Sequence, residues 1–443
     1  MLQKQLARFW KTEYIALILI IGFLLFANLL RWSNVTPYFN VYDSPGYFKF
    51  SLWKSYRGAF VSIPYSVIQD WKLVTLFQNL VSAVVWSVSI FRLSRCIRNW
   101  TLAITFGLFL IVLAQSSPVY EHNNVLMSES LAISSLVFLV TSLIIFEIKQ
   151  SKNSFYVLVF AMIWFANTKQ SYALLAPILA LYFTIKLVRS NEEIDKRRKL
   201  ALIACWVSVA YAFFLAFSTK NVSDYNFVAL IYYRFSVNSD WLDWWVQNNF
   251  PIDFLQEKDF GKAYSTGILN GWLSATSNFK LILFYLSHPL LTLFGAFLLP
   301  LFSANFTWGE TASGAIGIGT RYSRDLFLEP TPHLYFFWWD NFNLAFRGFV
   351  ISIVIIWLFS IAHSLHFRKI FFRFNKDTQS NFPKFLLKII LFHLILIQVI
   401  FLLGPADLLR LFIAPAISLR VILIFVLFLL IDEMTDIVKR RKR

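Results

Sequence analysis

The feature that most constrains this chain is a succession of apolar runs long enough to cross a bilayer. About 20 helical residues, rising 1.5 Å each, cover a hydrocarbon core of about 30 Å. Runs of this kind occupy 14–31, 73–94, 101–117, 128–147, 171–188, 200–218, 347–366, 385–403 and 411–431. Two more are irregular. The stretch 154–167 is short but bounded by polar residues, and 281–303 is broken by His288-Pro289 and Pro300. In lipid each run must satisfy its own backbone groups, which leaves the helix as its conformation. The predicted fold class is therefore all-α, a polytopic transmembrane helical bundle of about 10–11 spans with juxtamembrane helices on its outer face.

Composition agrees with the runs. Hydrophobic residues make up 58% of the 443 and charged residues only 15%, against about 25% charged in a soluble chain. One soluble core cannot hide that excess. The N-terminus carries Lys4, Arg8 and Lys11 before its apolar run, like a signal peptide, but no small-x-small cleavage site follows. We read it as an uncleaved first span. Cys96 and Cys205 fall in no expected outer loop and form neither a disulfide framework nor a metal-type spacing. No period of repetition runs along the chain.

The net charge of +17 is distributed in clusters: Lys4/Arg8/Lys11, Arg92/Arg95/Arg98, Lys149/Lys152, Lys186/Arg189/Lys196–Lys199, Arg368/Lys369/Arg373/Lys376 and Lys439–Arg443. They alternate along the chain with the intervening segments, as expected when most basic residues stay on the cytoplasmic side. Nucleic acid as a partner is a poor explanation for such alternation. The outer segments become 33–72, 118–127, 168–170, 219–346 and 404–410. Both termini are then cytoplasmic, which requires an even number of crossings, about ten. The stretch 281–303 is the one expected not to cross, as a re-entrant or interfacial element. The chain reads as a single transmembrane domain over 1–443, with a first outer loop at 33–72. Its largest extracytoplasmic segment, 219–346, reads as short helices on the membrane face plus a Gly-rich loop at 309–319.

Candidate chemistry lies in those outer segments. The first loop holds Tyr42-Asp43-Ser44-Pro45-Gly46-Tyr47. Asp43 follows the first span closely and so sits near the membrane surface. It reads either as a functional carboxylate or as a turn and helix cap before Pro45. The second loop holds Glu121 and His122, then Ser128-Glu129-Ser130-Leu131. Glu129 opens an apolar helix, where a carboxylate complements the helix dipole; at the mouth of a span it is also a functional candidate. Glu121 and His122 are conceivable metal ligands, without any H-E-x-x-H or cysteine set beside them.

Lys169, in Thr168-Lys169-Gln170-Ser171-Tyr172, runs against the charge rule on the outer side. It reads as a phosphate ligand or as a lysine snorkelling to the interface. Arg321 and Arg324 follow the Gly-rich stretch and suit an anionic substrate, or are solvated loop charges. Arg410 ends the last outer turn, and Arg420 lies within the final apolar run. At a helix centre an arginine costs at least about 2.5 kcal/mol. Arg420 therefore faces a cavity or a carboxylate, or the span begins later, near 416. The clusters Trp241/Trp244/Trp245 and Phe336-Phe337-Trp338-Trp339 read as an interfacial aromatic belt, or as a platform for a sugar ring or lipid chain.

In order along the chain, these signals resemble the GT-C glycosyltransferase superfamily, with its mannosyltransferase-like and aminoarabinose-transferase-like members. The matching features are Asp43-Ser44-Pro45-Gly46-Tyr47 after the first span, Ile63-Pro64-Tyr65, Leu76-Phe77-Gln78-Asn79-Leu80 and Ser128-Glu129-Ser130-Leu131. A polar turn from Thr168 to Pro177 and an Arg410–Pro415 segment complete the likeness. Where the family's turn usually carries Arg-Pro, this chain has Lys169-Gln170. The likeness covers about residues 1–190 and, loosely, the last forty.

The resemblance implies a multi-pass enzyme of a bacterial inner (plasma) membrane with an extracytoplasmic active site. It implies a polyprenyl-phosphate sugar as donor and a glycan, lipid or protein as acceptor, with membrane lipids around it. Transfer would be an inverting displacement with Asp43 as general base. Basic groups among Lys169, Arg321, Arg324, Arg410 and Arg420 would hold the phosphate. Glu129 or Glu121 would orient the acceptor or bind a divalent metal; no cofactor is otherwise implied. Two other classes compete. An O-antigen-polymerase-like or ligase-like enzyme would depend on Arg321 and Arg324 and be indifferent to Asp43. A transporter or flippase would place broken helices and ionisable groups at mid-membrane, usually in an internal repeat.

Overall fold

Caps and breakers cut the apolar runs into discrete helices. The computed structural model describes residues 2–34, 48–50, 58–126, 128–149, 151–189, 195–217, 220–233, 235–257, 260–275, 278–293, 295, 376–403 and 408–441. In order these form α1 (Leu2–Asn34), α2 (Ala59–Ile68), α3 (Trp71–Ser94), α4 (Trp100–Ala114), α5 (Ser117–Asn123), α6 (Glu129–Lys149), α7 (Lys152–Ala166), α8 (Gln170–Arg189) and α9 (Lys196–Phe217). Then come α10 (Lys220–Tyr233), α11 (Ser239–Gln247), α12 (Phe260–Ser265), α13 (Asn270–Ala275), α14 (Asn278–Ser287), α15 (Lys376–Leu403) and α16 (Leu408–Arg441). The described residues contain no strand.

Among the described residues, seven helical stretches are long and apolar enough to cross a membrane: Ile15–Asn34, Trp71–Ser94, Glu129–Lys149, Gln170–Val188, Lys196–Ala216, Phe385–Leu403 and Ile413–Asp432. The chain is an all-α polytopic bundle and an integral membrane protein. The run 347–366 lies outside the described residues. Two other runs form shorter helices of 15 residues, α4 and α7, or about 22 Å at the helical rise. Each starts at a side-chain cap. Asn99 accepts from the Thr101 N–H, and Ser151 and Ser154 form a reciprocal capping box.

The chain divides into two compact units. The first comprises Met1–Ala216, Thr331–His393 and Ile413–Arg443. Its α3 packs against α1 and α6, and α7 against α6 and α8. Helix α6 is the centre: nearly every residue from Glu129 to Glu147 is buried, whereas α1 exposes most of its apolar surface. At the end carrying Arg92, Arg95 and Arg98, the Asp432 carboxylate accepts from the backbone N–H groups of Arg98 and Asn99, both at 2.9 Å. That contact caps the start of α4 with a group from α16.

The second unit comprises Phe217–Pro330 and Leu394–Phe412. Its described core is aromatic. Trp245 is fully buried among Phe227, Phe235, Trp272 and Phe284, and the Phe235 and Phe284 rings lie 4.4 Å apart. Trp245 is therefore a core residue, neither belt nor platform. The break expected at His288-Pro289 is present: α14 stops at Ser287 and helical turns resume at residue 289. Pro289 has no N–H for the Tyr285 carbonyl, and the Thr292 hydroxyl donates to it instead. Gln398 braces the resumed turns by donating to the Leu291 and Thr292 carbonyls at 2.9 and 2.8 Å.

Candidate functional site

The first unit gathers its buried polar residues at the end where α1 and α4 finish and α3, α6 and α8 begin. The tight α7–α8 turn is held by its own side chains. Asn167 donates to the Ile163 carbonyl at 2.9 Å and to the Ser208 hydroxyl of α9 at 2.8 Å. Thr168 donates to the Trp164 carbonyl at 2.7 Å. The turn delivers Lys169, whose Nζ lies 2.9 Å from Glu129 Oε1. Their side chains are only 9% and 3% exposed. Glu129 is the first residue of α6, where the amino-terminal dipole favours a carboxylate. Burial at this depth is tolerated because each charge neutralises the other.

The first loop ends against the same turn. The Phe60 N–H donates to the Asn167 carbonyl at 3.0 Å. Gly58 comes so close that an added Cβ would lie 2.1 Å from the Asn167 oxygen, so only glycine fits. Helix α2 follows, with Tyr65 fully buried and its hydroxyl accepting from Gln78 of α3. Gly58, Lys169, Gln170 and Ala212 line a small cavity of about 10 Å³, room for no more than one water.

Beside the ion pair lies a second polar network. Asn79 donates to the carbonyls of Thr75 and Asn123 at 2.9 and 3.1 Å and to the Asn124 side chain at 3.2 Å. Asn28 of α1 donates to the Asn79 carbonyl at 3.1 Å, and Gln115 to the Asn28 side chain at 3.0 Å. Arg31 donates to the Gln115 side chain at 2.8 Å and lies 4.2 Å over the Tyr120 ring. Ser130, next to Glu129, donates to the Asn123 side chain at 2.6 Å, which joins network and ion pair. Arg31 is only partly buried, so its cation is the more accessible of the two.

Of the candidate residues, the fold brings Glu129 and Lys169 together. Lys169 does not snorkel to the interface; its charge is met inside the bundle by Glu129. The segment 118–127 is not a plain loop, since α5 runs through it and contains Glu121 and His122. His122 is part-buried, and the Glu121 side chain lies outside what is described. Among the described residues no three His, Cys, Asp or Glu side chains are grouped to hold a metal. Arg410 lies in the first turn of α16, its side chain outside the described ones. Arg420 lies inside the stretch Ile413–Asp432, because the helix begins at Leu408 and not near 416. Asp43, Arg321, Arg324 and Phe336–Trp339 fall outside the described residues.

Sequence reasoning did not single out Asn28, Arg31, Asn79 and Gln115. A signal was present, because Asn28 and Asn79 are polar interruptions of apolar runs, and such groups face the bundle interior. Their partners lie 51, 44 and 87 residues away and leave no local pattern. Comparison with known proteins adds no name to this geometry: no family model, no curated protein and no solved structure matches the chain.

Proposed function

We propose that the protein is a membrane glycosyltransferase of the GT-C kind, moving a sugar from a polyprenyl-phosphate donor to an acceptor on the extracytoplasmic face. The observation that carries this reading is the Glu129–Lys169 pair, buried at the end of the bundle to which Gly58 ties the first loop. A cation and a carboxylate held in a buried polar cluster suit chemistry on an anionic, membrane-anchored substrate.

In this reading that end faces outward, and the Arg92/Arg95/Arg98 end faces the cytoplasm of a bacterial inner membrane. The acceptor hydroxyl oxygen attacks the anomeric carbon and gives its proton to Asp43. The bond from that carbon to the phosphate oxygen breaks, and the lipid phosphate leaves with the electron pair. Lys169 and Arg31 meet the growing negative charge, with Arg321, Arg324, Arg410 and Arg420 as further phosphate partners. A phosphate at Lys169 competes with Glu129 for Nζ. The cavity beside Lys169 is too small for it, so binding requires the Gly58 end of α2 to move off the Asn167 turn. Glu129, once released, is available to orient the acceptor.

The test is Asp43→Asn, assayed as transfer from a labelled lipid-phosphate sugar in membranes. Loss of a general base lowers turnover by about 10²-fold or more; near wild-type turnover rejects the assignment. For orientation, Ser44→Cys should label from outside intact cells and Arg95→Cys should not; the reverse pattern overturns the topology.

A further inference from the structure

Away from the ion pair, the first unit carries a long groove between α3, α6 and α7, enclosing about 480 Å³. Phe77 and Trp164 lie at one end, and Arg92 and Ser154 at the other. Its outer rim includes Val84 and Phe160, 45% and 49% exposed. From Phe77 to Arg92 the groove follows α3 for about 22 Å at the helical rise. Half of a bilayer core is about 15 Å, so the groove is long enough for a chain reaching in from one leaflet.

Its polarity is one-sided. The walls are apolar apart from a few hydroxyl side chains, and that of Ser142 is satisfied by the Phe138 carbonyl at 2.7 Å. Among the described residues lining it, the one that is charged is Arg92, in the last turn of α3, where a cation also complements the helix dipole. Arg92 takes part in none of the ion pairs among the described residues. An apolar slot in membrane-spanning helices, with a guanidinium at one mouth, matches a molecule with a hydrocarbon chain and an anionic head.

We propose that this groove binds an anionic phospholipid from the leaflet at the basic end, its phosphate on Arg92 and one acyl chain along α3. Nearby Arg95 and Lys149 make that mouth favour a net negative headgroup over a zwitterionic one. The site is separate from the Glu129–Lys169 cluster and does not depend on any enzymatic reading.

The experiment is native mass spectrometry of the full chain in nonionic detergent, titrated with phosphatidylglycerol or phosphatidylcholine. The wild type should retain phosphatidylglycerol preferentially. Arg92→Gln should weaken that binding by about tenfold, the scale of one hydrogen bond to a charged group. Arg92→Lys should keep most of it, and Arg95→Gln should narrow the preference for phosphatidylglycerol over phosphatidylcholine by less than Arg92→Gln does. Val84→Trp, filling the slot from its rim, should displace the lipid with Arg92 intact, which keeps the test usable if Arg92→Gln does not fold. Equal retention of the two lipids, or equal retention by wild type and Arg92→Gln, overturns the proposal. So does binding that Val84→Trp leaves unchanged, which places the lipid elsewhere. Absence of any lipid adduct on the wild type overturns it too.

Discussion

Helices α6 and α8 are joined by an ion pair at each end, and the two pairs differ. In the first pair Glu129 opens α6 and Lys169 immediately precedes α8, with side chains 3% and 9% exposed. Glu147–Lys186 lies toward their far ends, with Lys186 24% exposed and resting 5.3 Å from the Phe146 ring centre. Glu129 has the amino-terminal dipole of α6 behind it, while Glu147 sits at the carbonyl end, where the dipole disfavours a carboxylate. Lys186 can keep one side toward water or headgroups, as a snorkelling lysine does. Lys169 is enclosed by the Asn167 turn and the Gly58 contact. The same two residue types thus make a part-exposed fastener at one end and a sequestered polar cluster at the other.

The most direct way to break this comparison is to remove one charge from each pair. Lys169→Met strands a buried carboxylate and should cost about 3 kcal/mol of stability, read as a lowered denaturation midpoint of the purified protein. The double variant Glu129→Gln/Lys169→Met should regain most of it, with the proposed transfer activity still lost. A double variant as unstable as the single one refutes the charge-burial account. Next in size, Asn79→Leu removes a donor serving three acceptors and should cost about 2 kcal/mol.

Gly58→Val should cost about 1–2 kcal/mol through overlap with the Asn167 carbonyl, and should raise proteolysis within the first loop more than at the basic end. Lys186→Met should cost no more than about 1 kcal/mol and leave the proposed transfer intact; a loss comparable to Lys169→Met erases the distinction between the ends. The smallest effect concerns Cys96, whose thiol burial pushes up to about 11. It should resist maleimide at neutral pH in a Cys205→Ser background and gain reactivity only as pH approaches that value. Asp432→Asn, which weakens the cap on the 98–99 backbone, should speed the labelling.

Much of the fold is legible because lipid leaves the backbone few options. Seven of the apolar runs reappear as helices fit to cross a membrane, and the His288-Pro289 break sits where the residue types place it. Glu129 opens its helix as expected, since a carboxylate before an apolar run is a local signal. The limits of α4 were less legible: the apolar run continues to 117, but the helix ends at Ala114 and Gln115 turns to meet Asn28 and Arg31. Trp245 illustrates another limit. An aromatic cluster in a predicted outer segment has the same sequence whether it faces an interface or a core, and only its neighbours Phe235, Trp272 and Phe284 distinguish the two.

By itself, then, the sequence determined that this chain is helical and crosses a membrane repeatedly, because span length and backbone satisfaction in lipid depend on local composition alone. It also marked Glu129 and Lys169 separately, one as a helix opener and the other as a basic residue against the charge pattern. Only the tertiary structure decided that the two meet, 40 positions apart, beneath a glycine from a third segment. An ion pair is set by the positions of two side chains in space, and spacing along the chain carries no record of that.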